Sequence, residues 1–126
     1  MKKILVTGAG GYLGAKLCSF LSNINFEVCA LIKTVPENSE EWIDSMQEII
    51  IGDVRDEKVI KTISEKKFDI VIHLISLDHN QSNDNPNFVS SVNVLPTWNL
   101  LNNLSTTGLK KFIYFSTIHV YGNLLD

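Results

Sequence analysis

The feature that most constrains this chain comes almost at once: the glycine-rich turn Gly8-Ala9-Gly10-Gly11-Tyr12-Leu13-Gly14, preceded by the apolar run Lys3-Ile4-Leu5-Val6-Thr7. A short, continuous run of branched apolar residues reads as a strand buried on both faces. From Leu13 onward, Leu13, Leu17, Phe20, Leu21 and Ile24 recur at helical spacing. Strand, glycine turn and helix in that order build a cradle for phosphate. Glycines let the backbone approach a pyrophosphate closely, and the helix N-terminus offers unpaired N–H groups and a partial positive charge. The pattern predicts a dinucleotide-binding protein.

The same alternation continues along the chain. Residues 28–32, 48–51, 70–74 and 112–115 are further short apolar runs bounded by turn residues. Asp56 is placed to cap a helix that carries Val59, Ile60 and Ile63 inward and ends near Lys66-Lys67, where cations suit the helix dipole. A longer helix is expected from about Asn87 to Ser105, ending before Thr107-Gly108. Residues 33–45 read as a loop with one helical turn, and residues 78–86 as a second loop. Successive βαβ units give an α/β fold, a doubly wound parallel sheet of the Rossmann type with five strands in the order 3-2-1-4-5. Such sheets hold ligands outside the carboxyl ends of their strands. Segments 8–14, 52–55, 75–77 and 116–117 should therefore converge.

Length and charge narrow the partners. With 126 residues the chain is expected to form one domain, residues 1–126, large enough for a core. A net charge of −3 argues against nucleic acid or an anionic membrane surface. Met1-Lys2-Lys3 and the apolar residues after it resemble a secretory start, but the run stops at Thr7-Gly8 and no stretch is long enough to cross a bilayer. The expected compartment is the cytoplasm. Cys18 and Cys29 lack CxxC spacing and read as buried free thiols. His73, His79 and His119 form no spaced set that suggests a metal, and His73 reads as a satisfied core histidine.

The glycines follow G-x-x-G-x-x-G (Gly8, Gly11, Gly14); the commoner G-x-G-x-x-G fails because Leu13 stands where its third glycine would be. Thr7-Gly8-x-x-Gly11-x-x-Gly14 resembles the cofactor loop of the extended short-chain dehydrogenase/reductases, the NAD(P)-dependent sugar-nucleotide epimerases and dehydratases. Four later segments match in order. Gly52-Asp53-Val54-Arg55-Asp56 resembles the family's adenine-holding turn, and Asp69-Ile70-Val71-Ile72-His73-Leu74 its fourth strand. Asn93-Val94-x-x-Thr97-x-Asn99-Leu100-Leu101 is similar to its next helix. Phe115-Ser116-Thr117-x-x-Val120-Tyr121-Gly122 is similar to the fifth strand and catalytic Ser/Thr loop. Singly, Asp53 could be a turn residue and Asn93 a surface amide; the common register is what those readings leave unexplained.

The resemblance implies an NAD(P) cofactor, held by Gly8, Gly10, Gly11, Tyr12, Leu13 and Gly14 in the loop, by Asp53 and Val54, by Leu74, Ile75 and Ser76, and by Asn93. It implies that Thr117, with Ser116 secondary, hydrogen-bonds the reacting oxygen of a nucleotide sugar. A hydroxyl there can donate to and accept from an alcohol becoming a ketone. NAD binders usually place an acid at the end of the second strand. Here that strand leaves through Leu31-Ile32-Lys33-Thr34, with no acid before Glu37, and Lys33 is placed to meet a 2′-phosphate; this tilts the expectation toward NADP.

The general base is a departure. The family supplies it through Tyr-x-x-x-Lys, the lysine lowering the phenol pKa. Within the 126 residues that pattern occurs at Tyr12 and Lys16, inside the cradle, where the family carries an aromatic packing residue. The chain as it stands is expected to lack the base, and with it the C-terminal strands and substrate lobe. A second departure is Pro96, where the family's helix usually has glycine; Phe88, Val92, Leu95, Trp98 and Leu101 around it make a wide apolar band, and the resemblance, in which this helix commonly packs against a second subunit, implies a homodimer. The unprotected strand at residues 112–115 likewise predicts self-association. Three readings follow: the cofactor half of a sugar-nucleotide epimerase, dehydratase or reductase; a non-catalytic NAD(P)-binding module or sensor; and an inactive remnant.

Overall fold

The structure is a computed structural model, which describes residues 1–35, 40–77, 81, 85–117 and 121. His79, His119, most of the 78–86 loop and residues 118–120 and 122–126 lie outside the described residues.

The elements follow one another as β1 (Lys3–Thr7), α1 (Tyr12–Asn23), β2 (Glu27–Ile32), α2 (Glu40–Asp44), β3 (Glu48–Ile51), α3 (Glu57–Glu65) and β4 (Ile70–His73). After β4 come α4 (Pro86–Val89), a π-helical turn (Ser90–Val94), α5 (Leu95–Leu104) and β5 (Lys111–Tyr114). The five strands form one sheet in the order β3-β2-β1-β4-β5, every pair parallel. This is the doubly wound topology that the strand–helix alternation predicts. Successive residues of β1 serve opposite faces: Ile4 and Val6 pack on one side with Cys18, Leu21, Val28, Ala30 and Ile72, and Leu5 on the other with Leu31, Ile63, Phe68, Val71, Leu100 and Leu104. Burying each of the larger side chains contributes roughly 1.5–3 kcal/mol.

Charge pairing closes the sheet at the amino ends of its strands. Lys3 Nζ reaches Glu27 at 3.5 Å and Glu48 at 3.4 Å, Lys66 pairs with Glu48, and Lys110 Nζ lies 2.6 Å from Asp69. Among the described residues, the carboxyl ends of the strands border clefts.

Three elements refine the sequence reading. Helix α1 turns Gly14, Cys18 and Leu21 inward, whereas Leu13, Phe20 and Ile24 are exposed. The cause is Gly14: a Cβ there would lie 2.4 Å from the carbonyl oxygen of Gly8. Only the bare backbone fits against the loop, which fixes the helix's rotation, and at 100° per residue Leu13, Phe20 and Ile24 fall on another face. Helix α3 begins as expected, with the Asp56 carboxylate accepting from the Lys58 N–H at 2.9 Å.

The long helix expected over residues 87–105 is instead interrupted. Pro96 has no N–H to give the preceding turn, and the backbone widens there, with the Leu95 N–H bonded to the Ser90 carbonyl five residues back. Pro96 thus sits in the first turn of α5, where proline is tolerated, and is itself buried. Leu100 and Leu104 pack into the core, while Leu95, Trp98 and Leu101 face outward. Among the described residues, no helix is long and apolar enough to cross a membrane.

Candidate cofactor-binding site

Residues 8–11 bend the chain from β1 into α1. Gly8 holds φ at +69°, and its absent Cβ would meet the Leu74 carbonyl carbon and the Ile75 amide at 3.2–3.3 Å. The Gly11 N–H bonds back to the Gly8 carbonyl at 3.1 Å, and the Ala9 N–H reaches the Leu31 carbonyl at 3.1 Å, which ties the loop to β2. Gly11 is the N-cap of α1 and supplies no side chain to cap it, so the first amides of the helix are left for an outside acceptor. Among the described residues, a Cβ on Gly11 would meet only the Gly8 oxygen, at 3.4 Å. Above this residue there is open space, as a pyrophosphate cradle requires.

Two clefts open on either side of the loop and share Gly8, Gly11, Ser76 and Leu77. The first, about 430 Å³, runs from Gly10 over the ends of β2 and β3, past Lys33, Thr34, Asp53, Val54 and Arg55, with Ile75, Phe88 and Val92 as its other wall. The second, about 580 Å³, is lined by Tyr12, Leu13, Gly14, Leu74, Asn93, Tyr114, Phe115, Ser116 and Thr117. Every residue expected to hold a cofactor lines one cleft or the other. The four strand-end segments predicted to converge do so. Phe88 and Val92, expected in an outward apolar band, wall the first cleft instead.

In the first cleft Asp53 is held by cations. Its Oδ1 accepts from the Arg55 N–H at 2.9 Å and Arg55 Nε at 3.0 Å; its Oδ2 takes Arg55 Nη2 at 2.7 Å and Lys33 Nζ at 3.4 Å. The bonds from Arg55 hold the carboxyl well below the usual carboxylate range. A Cβ on Gly52 in the same turn would lie 2.5 Å from the Val59 side chain, which would have to shift. The Arg55 clamp was not read from the sequence; its signal was a cation two residues after an acid in a turn.

The second cleft is braced from beneath by His73, which is fully buried with its ring bonded at both nitrogens. The Thr97 hydroxyl donates its one hydrogen to the Asn93 carbonyl at 2.8 Å, so it accepts from His73 Nε2–H at 3.0 Å. His73 Nδ1 then accepts from the Thr7 hydroxyl at 2.7 Å, and Thr7 Oγ1 accepts from the Leu74 N–H at 3.2 Å. Burial lowers the imidazole pKa to about 4, so the ring is neutral as this arrangement needs. Asn93 adds a separate tie, its Oδ1 accepting from the Leu77 N–H at 2.8 Å. Together these bonds fix residues 74–77, of which Ser76 and Leu77 line both clefts. Thr7 and Thr97 stand in the quoted motifs, but their pairing through His73 required the fold.

Tyr12 is 84% exposed at the start of α1, with Lys16 Nζ 6.0 Å from its ring centroid. Cys18 and Cys29 are buried free thiols pushed up to about 12 by burial, which makes them inert packing groups.

Residues 4–126 match the model of the NAD dependent epimerase/dehydratase family. The chain belongs to that family. It is 34% identical to a dTDP-D-glucose 4,6-dehydratase of Dictyostelium discoideum, over 98% of this chain and 30% of that protein. It is 30% identical to a UDP-glucose 4-epimerase of Pisum sativum, over 96% of this chain and 38% of that protein. Among solved structures, the UDP-glucose 4-epimerase from Bifidobacterium longum in complex with NAD+ and UDP superposes with a TM-score of 0.84 at 27% identity, over 96% of this chain and 38% of that one. The chain thus spans 30% to 38% of the length of these relatives. The sequence resemblance and the fold agree.

Proposed function

We propose that these residues form the NAD(P)-binding portion of a sugar-nucleotide epimerase, dehydratase or reductase. The observation that carries the reading is the pair of clefts sharing the Gly8–Gly11 loop, a span suited to a dinucleotide with its pyrophosphate on the amides of α1. The adenosine half lies in the first cleft against Asp53 and Val54. The nicotinamide half lies in the second, near Leu74, Ser76 and Asn93. When bound, the cofactor supplies hydride-transfer chemistry. The chain's own part is to bind and orient it, and to present Thr117, with Ser116 beside it, as a hydroxyl for the oxygen of a nucleotide sugar.

The family's description names NAD, and the Bifidobacterium longum relative was solved with NAD+. In this chain Lys33 rather than an acid follows β2, and it lines the first cleft. That favours NADP. Calorimetric titration of NAD and NADP against wild type and Lys33→Ala tests it: the variant should lose most of any preference for NADP, and an unchanged ratio removes Lys33 from the account.

A second reading is supported by one observation: the Tyr-x-x-x-Lys pattern of these residues lies in the cradle, at Tyr12 and Lys16. A chain using no other base would hold NAD(P) without turning a sugar over, as a binding module. Mixing the full-length protein with cofactor and UDP-glucose separates the two readings, since only the enzyme reading predicts conversion of the sugar.

A further inference from the structure

Residues 74–77 are tied at both ends into one closed ring of hydrogen bonds. At one end the Leu74 N–H donates to the Thr7 hydroxyl at 3.2 Å; at the other the Leu77 N–H donates to Asn93 Oδ1 at 2.8 Å. Thr7 and Asn93 are joined in turn through His73 and Thr97, by bonds of 2.7, 3.0 and 2.8 Å. Thr97 is the member that closes the ring. It stands in the first turn of α5, directly after Pro96, where the missing N–H has widened the backbone into the π-helical turn. Its hydroxyl clips that widened turn at the Asn93 carbonyl and gives the buried Nε2–H of His73 an acceptor. Taking the hydroxyl away removes both bonds at once, and hydrogen bonds linked in this way weaken together. Thr97 itself lines neither cleft.

The ring acts on the second cleft more than on the first. Leu74, Ser76, Leu77 and Asn93 line the second, as does Tyr114, whose ring centroid lies 5.9 Å from that of His73. The Asp53 side of the first cleft is held by other bonds. The Gly52 N–H donates to the Ile32 carbonyl at 2.9 Å, the Ala9 N–H to Leu31 at 3.1 Å, and Arg55 to Asp53. None of these passes through Thr97. Resting on the reading of the second cleft as the nicotinamide end, we infer that Thr97 is a positioning residue for the nicotinamide half of the cofactor. It acts through Asn93 and His73, which set where residues 74–77 stand. The adenosine half is left to the bonds at the ends of β2 and β3.

The test is a titration of full-length wild type, T97V and T97S with ADP and with NADH or NADPH, whichever wild type binds more tightly. Nicotinamide fluorescence follows the reduced cofactor, calorimetry follows ADP, and thermal unfolding checks that the variants fold. T97V removes the hydroxyl at nearly constant shape. It should weaken the reduced cofactor about tenfold, change the emission of the bound nicotinamide at saturation, and leave ADP within about twofold. T97S keeps the hydroxyl and should restore both. If T97V weakens the reduced cofactor and ADP by the same factor, or changes neither the affinity nor the emission of the cofactor, the inference is overturned while the dinucleotide site stands. If wild type binds neither ligand, the dinucleotide reading itself falls. Hydrogen exchange on wild type carries the test should T97V not fold. The reduced cofactor should slow residues 74–77 and 93–97 together, beyond the slowing by ADP. Slowing that reaches 74–77 without 93–97 overturns the inference.

Discussion

At the scale of single residues, His73 carries the clearest consequence for pH. Its folded-state pKa of about 4 lies below the ordinary value near 6.5, because burial disfavours the charged ring. The unfolded chain therefore binds the proton more readily. Stability is fully present above pH 6.5 and declines as pH falls toward 4, by roughly 3 kcal/mol for this one group. Protonation also removes the acceptor that Nδ1 offers to the Thr7 hydroxyl. Glu48, Asp53 and Asp69 are shifted down by their lysine and arginine partners, and their stabilisation is lost only at lower pH. Urea unfolding at a series of pH values between 7 and 4.5 should show a falling free energy whose slope is reduced in His73→Gln. An equal slope in that variant would mean that the ring is not what the native state keeps neutral.

At the scale of elements, the exposed apolar surfaces call for partners. Helix α5 leaves Leu95, Trp98 and Leu101 outward at 56%, 68% and 38% exposure, and β5 presents Ile113 and Tyr114 from a strand that, among the described residues, is paired on one side only, by β4. Unpaired strand edges and contiguous apolar faces promote association. Sedimentation of the chain over about two decades of concentration should therefore show a rising average mass, reduced by Trp98→Glu. A constant monomer mass would contradict this.

These elements also show why some of the fold could be read early and some could not. Strand positions and order follow from local apolar runs and βαβ spacing, and Asp56 capped α3 because capping is local chemistry. The rotation of α1 depends on a contact between Gly14 and the Gly8 carbonyl that periodicity does not contain. The break before α5 depends on how one proline's missing N–H is absorbed by a wider turn. In the same way, the motifs brought Asp53 and Thr117 to strand ends and Asn93 to the π-helical turn, where they line the two clefts. The Arg55 clamp and the Thr7–His73–Thr97 brace became visible only with side-chain geometry.

For the whole molecule, charge pairs close one end of the sheet and the glycine loop opens the other. Membership of the NAD dependent epimerase/dehydratase family agrees with that polarity. The central claim is that the loop cradles a cofactor pyrophosphate over Gly11. The two outer glycines cannot test it cleanly: Gly14 has no room for a Cβ and Gly8 sits at positive φ, so substituting either disturbs the fold itself. Gly11 has an ordinary backbone conformation, with φ −77° and ψ 167°, and its Cβ would enter the space shared by the two clefts. The decisive measurement is a calorimetric titration of NADP against wild type and Gly11→Val, with thermal unfolding run alongside. The account predicts that the variant folds, with a stability loss of no more than about 1 kcal/mol from the poorer N-cap, and loses at least about a hundredfold in affinity. A folded Gly11→Val that binds NADP as tightly as wild type would contradict it.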